Sequence, residues 1–382
     1  MEKPKIRFGK FNNKWKKNKL DTVVDFFDNQ RIPIDSGERK AGPYPYYGAS
    51  GIIDYVDGYI FNGEYVLLAE DGANIILRSS PIAYLTKGKF WLNNHAHIMK
   101  MKTGSNEFLI QLLEKQNYEK YNTGTAQPKL NGEVVKKISL HFPSDDEQSA
   151  IGSLFRTLDD LLANYKDNLE NYQSLRTTML YKMFPKAGQN VPEIRLDGFD
   201  GEWKKDTLEP YLTESRISGD TGLTAKKITV KLWGKGVIEK EEKYAGSSNT
   251  QYFIRKAGQF IYSKLDFRNQ AFGIIPNGLD GYQSTLDLPT FDIQNIDPKF
   301  LLEYVMRREF YEYQGLIANG SRKAKRIHPE DFLVMPVRIP YLEEQQAIGF
   351  YFSNIDNFIN SYQEKISQIE TLKKKLLQDM FI

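Results

Sequence analysis

The chain carries one plan written twice. Near its start stand Pro4, Ile6, Arg7, Phe8, Phe11, Trp15, Lys16, Lys17 and Leu20. At a spacing of 188 residues, the distance from Pro4 to Pro192, stand Pro192, Ile194, Arg195, Leu196, Phe199, Trp203, Lys204, Lys205 and Leu208. A second block repeats at 197 residues, the distance from Glu147 to Glu344. There Glu147, Gln148, Ala150, Ile151 and Gly152 match Glu344, Gln345, Ala347, Ile348 and Gly349, and the match runs on through Phe155/Phe352, Asp159/Asp356, Tyr165/Tyr362, Leu175/Leu372 and Met183-Phe184/Met380-Phe381. The segments between the blocks share little. A fold for this chain must place two copies of one framework around two different inserts.

The second block predicts long helices. From Glu147 to Phe184 there is no proline and one glycine, Gly152, and apolar residues recur at steps of three, four and seven. Such spacing gives one apolar seam on a helix of about 38 residues, roughly 57 Å long. The seam passes through Ile151, Leu158, Leu162, Tyr165 and Leu169 in the first copy, and through Ile348, Ile355, Ile359, Tyr362 and Ile366 in the second. A seam of that length must be covered, either by the other helix as a coiled coil or by a helix of a partner subunit. Pro143 and Pro340 suit the helix starts.

The inserts read as mixed α/β. In the first, Tyr65–Ala69, Ile75–Leu77, Ile82–Leu85 and His97–Met99 are β-rich, and a helix is predicted from Glu107 to Lys120. In the second, Lys227–Val230, Gln259–Tyr262 and Ala271–Ile275 are β-rich, and a helix is predicted from Pro298 to Gly315. The expected division is a first domain at 1–144, a helix at 145–184, a linker at 185–192, a second domain at 193–341 and a helix at 342–382.

Composition narrows the chemistry. There is no cysteine, which removes disulfides, thiolate ligands and thiol nucleophiles together. The histidines number 4. The formal net charge is +3, which permits nucleic-acid binding without requiring it. No apolar run approaches the ~18 residues of a membrane span. Nor does the start show a signal peptide, so a soluble cytoplasmic protein with no membrane role is expected. No P-loop, no Asn/Asp-Pro-Pro-aromatic motif and no glycine-rich cofactor turn occurs. No catalytic residue is therefore assigned. Asp35, Glu38 and Lys40 match a nuclease pattern only loosely. His95 and His97 would share one face of a strand but have no evident further ligands, so they are read as hydrogen-bonding residues and no metal is expected.

The positive signal lies in two polar loops, each just ahead of a common helix. The first runs from Tyr121 to Asn131 and offers Thr123, Gly124, Thr125, Gln127 and Lys129. The second offers Gly320, Ser321, Arg322, Lys323, Lys325 and Arg326. Gln and Asn can pair with adenine edges, Arg with guanine, and Lys, Ser and Thr with phosphates. Four basic residues in five positions make the second loop a strong candidate for nucleic-acid contact. Tyr47 and Ser50, in a Tyr- and Gly-rich stretch, form another candidate in the first insert.

Together these residues resemble the specificity subunit of type I restriction-modification enzymes. The carrying motifs are the duplicated Pro-x-Ile-Arg block with its Trp, the Gly124-Thr-x-Gln-Pro-x-Leu130 loop and the Pro-x-x-x-Glu-Gln-x-x-Ile-Gly helix starts. To these add the Tyr46-Tyr-Gly-Ala-Ser-Gly-Ile52 stretch with Phe90–Ala96. The resemblance implies an α+β fold: two target recognition domains separated by two long antiparallel helices in a coiled coil, with a pseudo-two-fold internal repeat. It implies that each domain reads one half of a bipartite double-stranded DNA sequence, and that the helices set the spacer and dock two methylation subunits. Two restriction subunits join later. On this reading the chain holds no cofactor: S-adenosylmethionine sits on the methylation subunits, ATP and Mg on the restriction subunits. The second insert departs from the pattern, having no Gln-Pro in its loop and Lys264–Arg268 where the Tyr-Gly-Ala-Ser-Gly stretch would stand. Gly320, Ser321, Arg322, Lys264 and Arg268 are therefore carried by position. The competing expectations are a nuclease or methyltransferase fused to its own reader, and a coiled-coil adaptor that binds no DNA.

Overall fold

A computed structural model describes residues 3–241, 246–317 and 326–382. Packing divides the chain into two compact units, one formed by residues 1–167 with 363–382 and the other by 168–362.

The first unit centres on a four-stranded antiparallel sheet in the order Val24–Phe26, Ala96–Met101, Tyr65–Ala69, Ala83–Thr86. Val66, Leu67 and Leu68 of its third strand are fully buried on both faces, which is why this stretch reads as an unbroken apolar run. Helix Asn106–Lys115 packs Phe108, Leu109, Leu112 and Leu113 into the same core. A second sheet, in the order Gly51–Val56, Ala41–Gly48, Lys89–Leu92, Phe61–Asn62, contains one parallel pair. A two-stranded ribbon of Lys16–Lys19 with Ser139–Phe142 leads into the first long helix, Asp145–Lys182.

The second unit repeats this framework. Its four-stranded sheet runs Leu212–Glu214, Thr290–Ile293, Phe260–Tyr262, Phe272–Ile274, the same order with the same antiparallel pairing. Its ribbon pairs Lys204–Thr207 with Pro336–Ile339 and leads into the second long helix, Leu342–Asp379. The additions differ. Here a three-stranded sheet (Ser218–Thr221, Gln251–Ile254, Gln283–Ser284) and a hairpin (Ile228–Val230 with Val237–Glu239) stand in place of the mixed sheet.

The repeated residues are the joints of this framework. Glu147 and Glu344, each 1 % exposed, are buried anions. Arg7 grips Glu147 at 2.6 and 2.7 Å, and the Trp15 indole N–H donates to it at 3.4 Å. Arg195 and Trp203 do the same to Glu344 at 2.8, 2.7 and 3.3 Å. The next residue, Gln148 or Gln345, donates to the carbonyl of Pro143 or Pro340 and accepts from the backbone N–H of Ser105 or Asp297. Those last two residues cap the domain helices Asn106–Lys115 and Pro298–Met306. Gly152 and Gly349 lie against these caps. A Cβ on Gly152 would stand 2.5 Å from Ser105 Oγ, and one on Gly349 2.6 Å from Asp297 Oδ1. The Glu-Gln-x-x-x-Gly spacing is thus what lets a long helix meet the first turn of a shorter one.

The long helices run antiparallel. In the first unit Lys373 pairs with Asp159, Lys166 with Glu370 at 2.9 Å, and Lys365 lies 5.5 Å above the Tyr165 ring. In the second, Tyr172 stacks on Phe358 and Tyr362, and Arg176 reaches Asp356 at 2.5 Å. Among the seam residues, Leu158, Leu162 and Ile355 are buried, whereas Tyr165, Leu169, Ile359, Tyr362 and Ile366 are half-buried. Ile151 and Ile348 sit in the domain cores with Phe155 and Phe352. Each helix also ends in a core. Phe381 packs on Trp15, Phe108 and Phe155 of the first unit, and Phe184 on Trp203 and Phe300 of the second. Lys115 donates to the Phe381 carbonyl at 2.5 Å and Arg307 to that of Pro185 at 3.4 Å, so a cation meets the end of each helix.

Two local expectations need correction. Ile75–Leu77 is not a strand but part of a single helical turn, Asn74–Leu77, because Gly72 and Ala73 accept the turn's N–H groups. The helix expected from Pro298 to Gly315 breaks into Pro298–Met306 and Arg308–Gln314. Arg307 is extended there and packs its guanidinium on the Tyr304 and Phe184 rings, 4.1 and 4.8 Å from their centroids. The first domain's helix likewise stops at Lys115, ahead of a separate turn at Glu119–Tyr121.

Candidate nucleic-acid interface

The loop from Asn122 to Asn131 is closed on itself. Asn122 Oδ1 accepts the N–H groups of Gly124 and Lys129, each at 2.9 Å. The Thr123 N–H and hydroxyl both donate to the Lys129 carbonyl, at 2.8 and 3.1 Å. A Cβ on Gly124 would stand 1.8 Å from the Gln127 carbonyl oxygen, so only glycine permits this crossing of the backbone. Leu130, fully buried, anchors the loop and donates its N–H to the Glu70 carbonyl at 2.7 Å. Asn131 then caps the short helix Gly132–Lys136. Thr123, Thr125, Gln127 and Lys129 are left exposed.

A polar network stiffens this loop from behind. The buried His97 ring faces two oxygens, Asp28 Oδ2 at 2.7 Å and the Leu130 carbonyl at 2.8 Å, so both ring nitrogens donate when the ring is charged. Burial pushes the Asp28 carboxyl up, but the His97 hydrogen bond and charge, the Ile98 N–H and Arg31 hold it below the usual range. Arg31 reaches Glu70 Oε2 at 2.6 Å, and the Lys129 ammonium lies 3.4 Å from Glu70 Oε1. This places His97 as a support for the loop; the exposed His95 pairs with Asp71 at 2.8 Å. Among the described residues no group of three or more His, Asp or Glu is arranged to hold a metal ion. Asp28, Arg31 and Glu70 carried no signal in the sequence, being scattered along the chain with no motif to join them.

Tyr47 and Ser50 belong to the other sheet. Tyr47 stacks on Tyr84 and meets Phe90 edge-on at 5.5 Å, and burial pushes its hydroxyl up. Its ring is largely occupied by packing. Ser50 is exposed in the turn between Ala41–Gly48 and Gly51–Val56. Asp35, Glu38 and Lys40 are all exposed on a neighbouring loop.

In the second domain Gly320, Ser321, Arg322, Lys323 and Lys325 lie outside the described residues. Arg326 is described, with its guanidinium 3.6 Å from Asp287. Ile327, 1 % exposed, donates its N–H to the Lys264 carbonyl at 3.1 Å, as Leu130 does to Glu70. Arg326 therefore holds in the second domain the position of Lys129 in the first. Lys264 is half-buried, and burial lowers its ammonium. Arg268 is exposed on the turn Phe267–Asn269, its stem lying over Gly315.

A family model described as the type I restriction modification DNA specificity domain matches residues 12–171. Over 90 % of this chain and 88 % of its own length, a putative type I restriction enzyme specificity subunit of Haemophilus influenzae is 27 % identical. A putative type I specificity subunit of Mycoplasma pneumoniae is 25 % identical over 94 % of both chains. The chain is similar to type I specificity subunits. The crystal structure of a type I restriction-modification S subunit from M. genitalium shares the fold across 100 % of this chain and 99 % of that chain, with a TM-score of 0.66 at 14 % identity. The family model stops inside the first long helix, and the joint residues of the first half recur in the second.

Proposed function

We propose that this chain is the sequence-reading subunit of a type I restriction-modification complex and catalyses nothing itself. Each domain reads one half of a bipartite double-stranded DNA target, and the helix pair sets the unread spacer. The observation that carries this reading is the pairing of one duplicated joint with two unlike inserts. Arg7-Glu147-Trp15 and Arg195-Glu344-Trp203 have the same geometry, while the loop sequences ahead of the helices differ in nearly every side chain. Two different half-sites need that arrangement: identical mounting and different contacts. Phosphate contacts fall to Lys129, Lys264, Arg268 and Arg326, and base contacts in the first domain to Thr125 and Gln127. The basic loop from Gly320 to Lys325 serves the second half-site.

The partners on this reading are two methylation subunits, which bring S-adenosylmethionine and dock on the helices, and two restriction subunits, which bring ATP and Mg. The complex acts on DNA in the cytoplasm. No helix of the described residues is long and apolar enough to cross a membrane.

The test is the methylation pattern of DNA from cells that carry the methylation subunit with and without this chain. A split motif with a fixed spacer, present only with the chain, is the expected result. Methylation by the purified chain alone would overturn the non-catalytic part.

A further inference from the structure

The second domain exposes a tryptophan in a conformation that tryptophan does not favour. Trp233 has φ +60°, in the left-handed region, and the residue is 57 % exposed. A bulky residue there carries a strain of about 1 kcal/mol or more, and an exposed indole gains little by burial to offset it. The surroundings hold it in place. Trp233 lies in the tip, Lys231–Gly236, of the hairpin that joins Ile228–Val230 to Val237–Glu239. The tip is pinned to a neighbouring loop, with the Trp233 N–H donating to the Asn269 carbonyl at 2.8 Å and the Gly234 N–H to that of Gln270 at 2.9 Å. Gln270 is itself left-handed, at φ +55°. Two strained residues are thus bonded into one rigid platform with the indole on its outer side.

The charge around the platform is positive. Lys231 and Lys235 flank the indole in the hairpin, and Arg268 precedes the carbonyl that pins it. All three are exposed, and among the described residues none of them makes an ion pair. An exposed aromatic ring framed by uncommitted cations suits a polyanion with flat faces. The hairpin is one of the additions that stand in place of the first unit's mixed sheet, so the feature belongs to one half-site alone.

We propose that Trp233 is a DNA-contacting residue of the second domain, its indole packing against the sugars or base edges of that half-site while Lys231, Lys235 and Arg268 hold the flanking phosphates. This rests on the sequence-reading function proposed above. Arg268 gains a defined role as part of a composite surface, and the hairpin becomes the element that separates this reader from the first.

The experiment uses the full chain assembled with its methylation subunits and a fluorescent duplex carrying the motif found by methylation mapping. W233G is the informative variant, because glycine accepts the left-handed conformation and the fold is relieved of strain. W233G is expected to weaken binding roughly five- to hundredfold, with a melting temperature no lower than wild type, and W233F to retain most of the affinity. R268A is expected to weaken binding to all sequences alike and to flatten the salt dependence. Wild-type affinity in W233G would overturn the inference, and a defect confined to subunit assembly would reassign the indole to a protein partner. If the wild-type assembly selects no split motif, the proposed function itself fails and takes this inference with it.

Discussion

Arg7 and Glu147 form a two-pronged ion pair across most of the first domain's sequence, with the carboxylate almost fully withdrawn from water. The pair joins the N-terminal segment to the first turn of a long helix. Removing one member of such a pair leaves an uncompensated buried charge, which costs about 3–5 kcal/mol. R7M should destabilise the first unit by that amount and leave the second untouched. Hydrogen exchange resolved by segment would show it, and R195M should give the mirror result. Equal loss of protection in both units would mean that they do not hold themselves together separately.

Gly349 should tolerate no side chain. A Cβ there would meet Asp297 Oδ1 at 2.6 Å and Lys299 Cβ at 3.0 Å, and the latter cannot retreat without moving a capped helix. G349A should cost about 1–3 kcal/mol by overpacking, read as a lower urea midpoint. G281A, at an open turn with φ +79°, is a control for backbone strain without a clash.

Glu303 makes the second unit sensitive to pH. It is buried, one of its oxygens has no hydrogen-bond partner among the described residues, and burial outweighs Arg176 to push its carboxyl up to about 7. A folded-state pKa above the unfolded value means that folding takes up a proton. Stability is then greatest below about 4.5 and falls as pH rises towards 7, levelling off above it. The difference between pH 5.5 and 8 should be on the order of 1–3 kcal/mol. E303Q should remove it, and denaturant midpoints across that range would decide. Gln111 stands at the matching place in the first unit's helix, so no such term is expected there.

Gln127 is exposed at the tip of a loop whose shape does not depend on its side chain. Q127A should therefore weaken selection at one half-site by about tenfold, the value of a bidentate contact, with no change in melting temperature. G124V should damage the same half-site by a different route, since the loop could not close. Methylation-motif mapping separates the two, because Q127A relaxes one base position and G124V the whole half-site.

Helix length should set the spacer. Removing two turns from each long helix, in the stretch between the domain-core contacts, should shorten the unread gap and leave both half-sites unchanged. A changed half-site with an unchanged gap, seen in the methylated motif, would defeat the ruler assignment.

The helices and the duplicated framework were legible because their signals are local and repeated: a three-and-four apolar spacing, and two matched blocks. The four-stranded sheet common to both domains was not. Tyr65–Ala69 and Phe260–Tyr262 hold the same place in it but share only a demand for buried apolar side chains, which many sequences meet. The break at Arg307 was hidden for a related reason, since the rings that attract its guanidinium include Phe184, far away in sequence. The polar loops could be found from composition, but the stiffness of the first could not. Asn122, Glu70 and His97 act through hydrogen bonds that no spacing announces.

Phe381 packs among Trp15, Phe108 and Phe155, so the first unit draws part of its core from the far end of the chain. During synthesis the first domain emerges early but waits for residues 363–382 before its core can close, with an apolar socket open in the meantime. The second unit, whose residues 168–362 are contiguous, has all its parts earlier. The half made first is the half completed last.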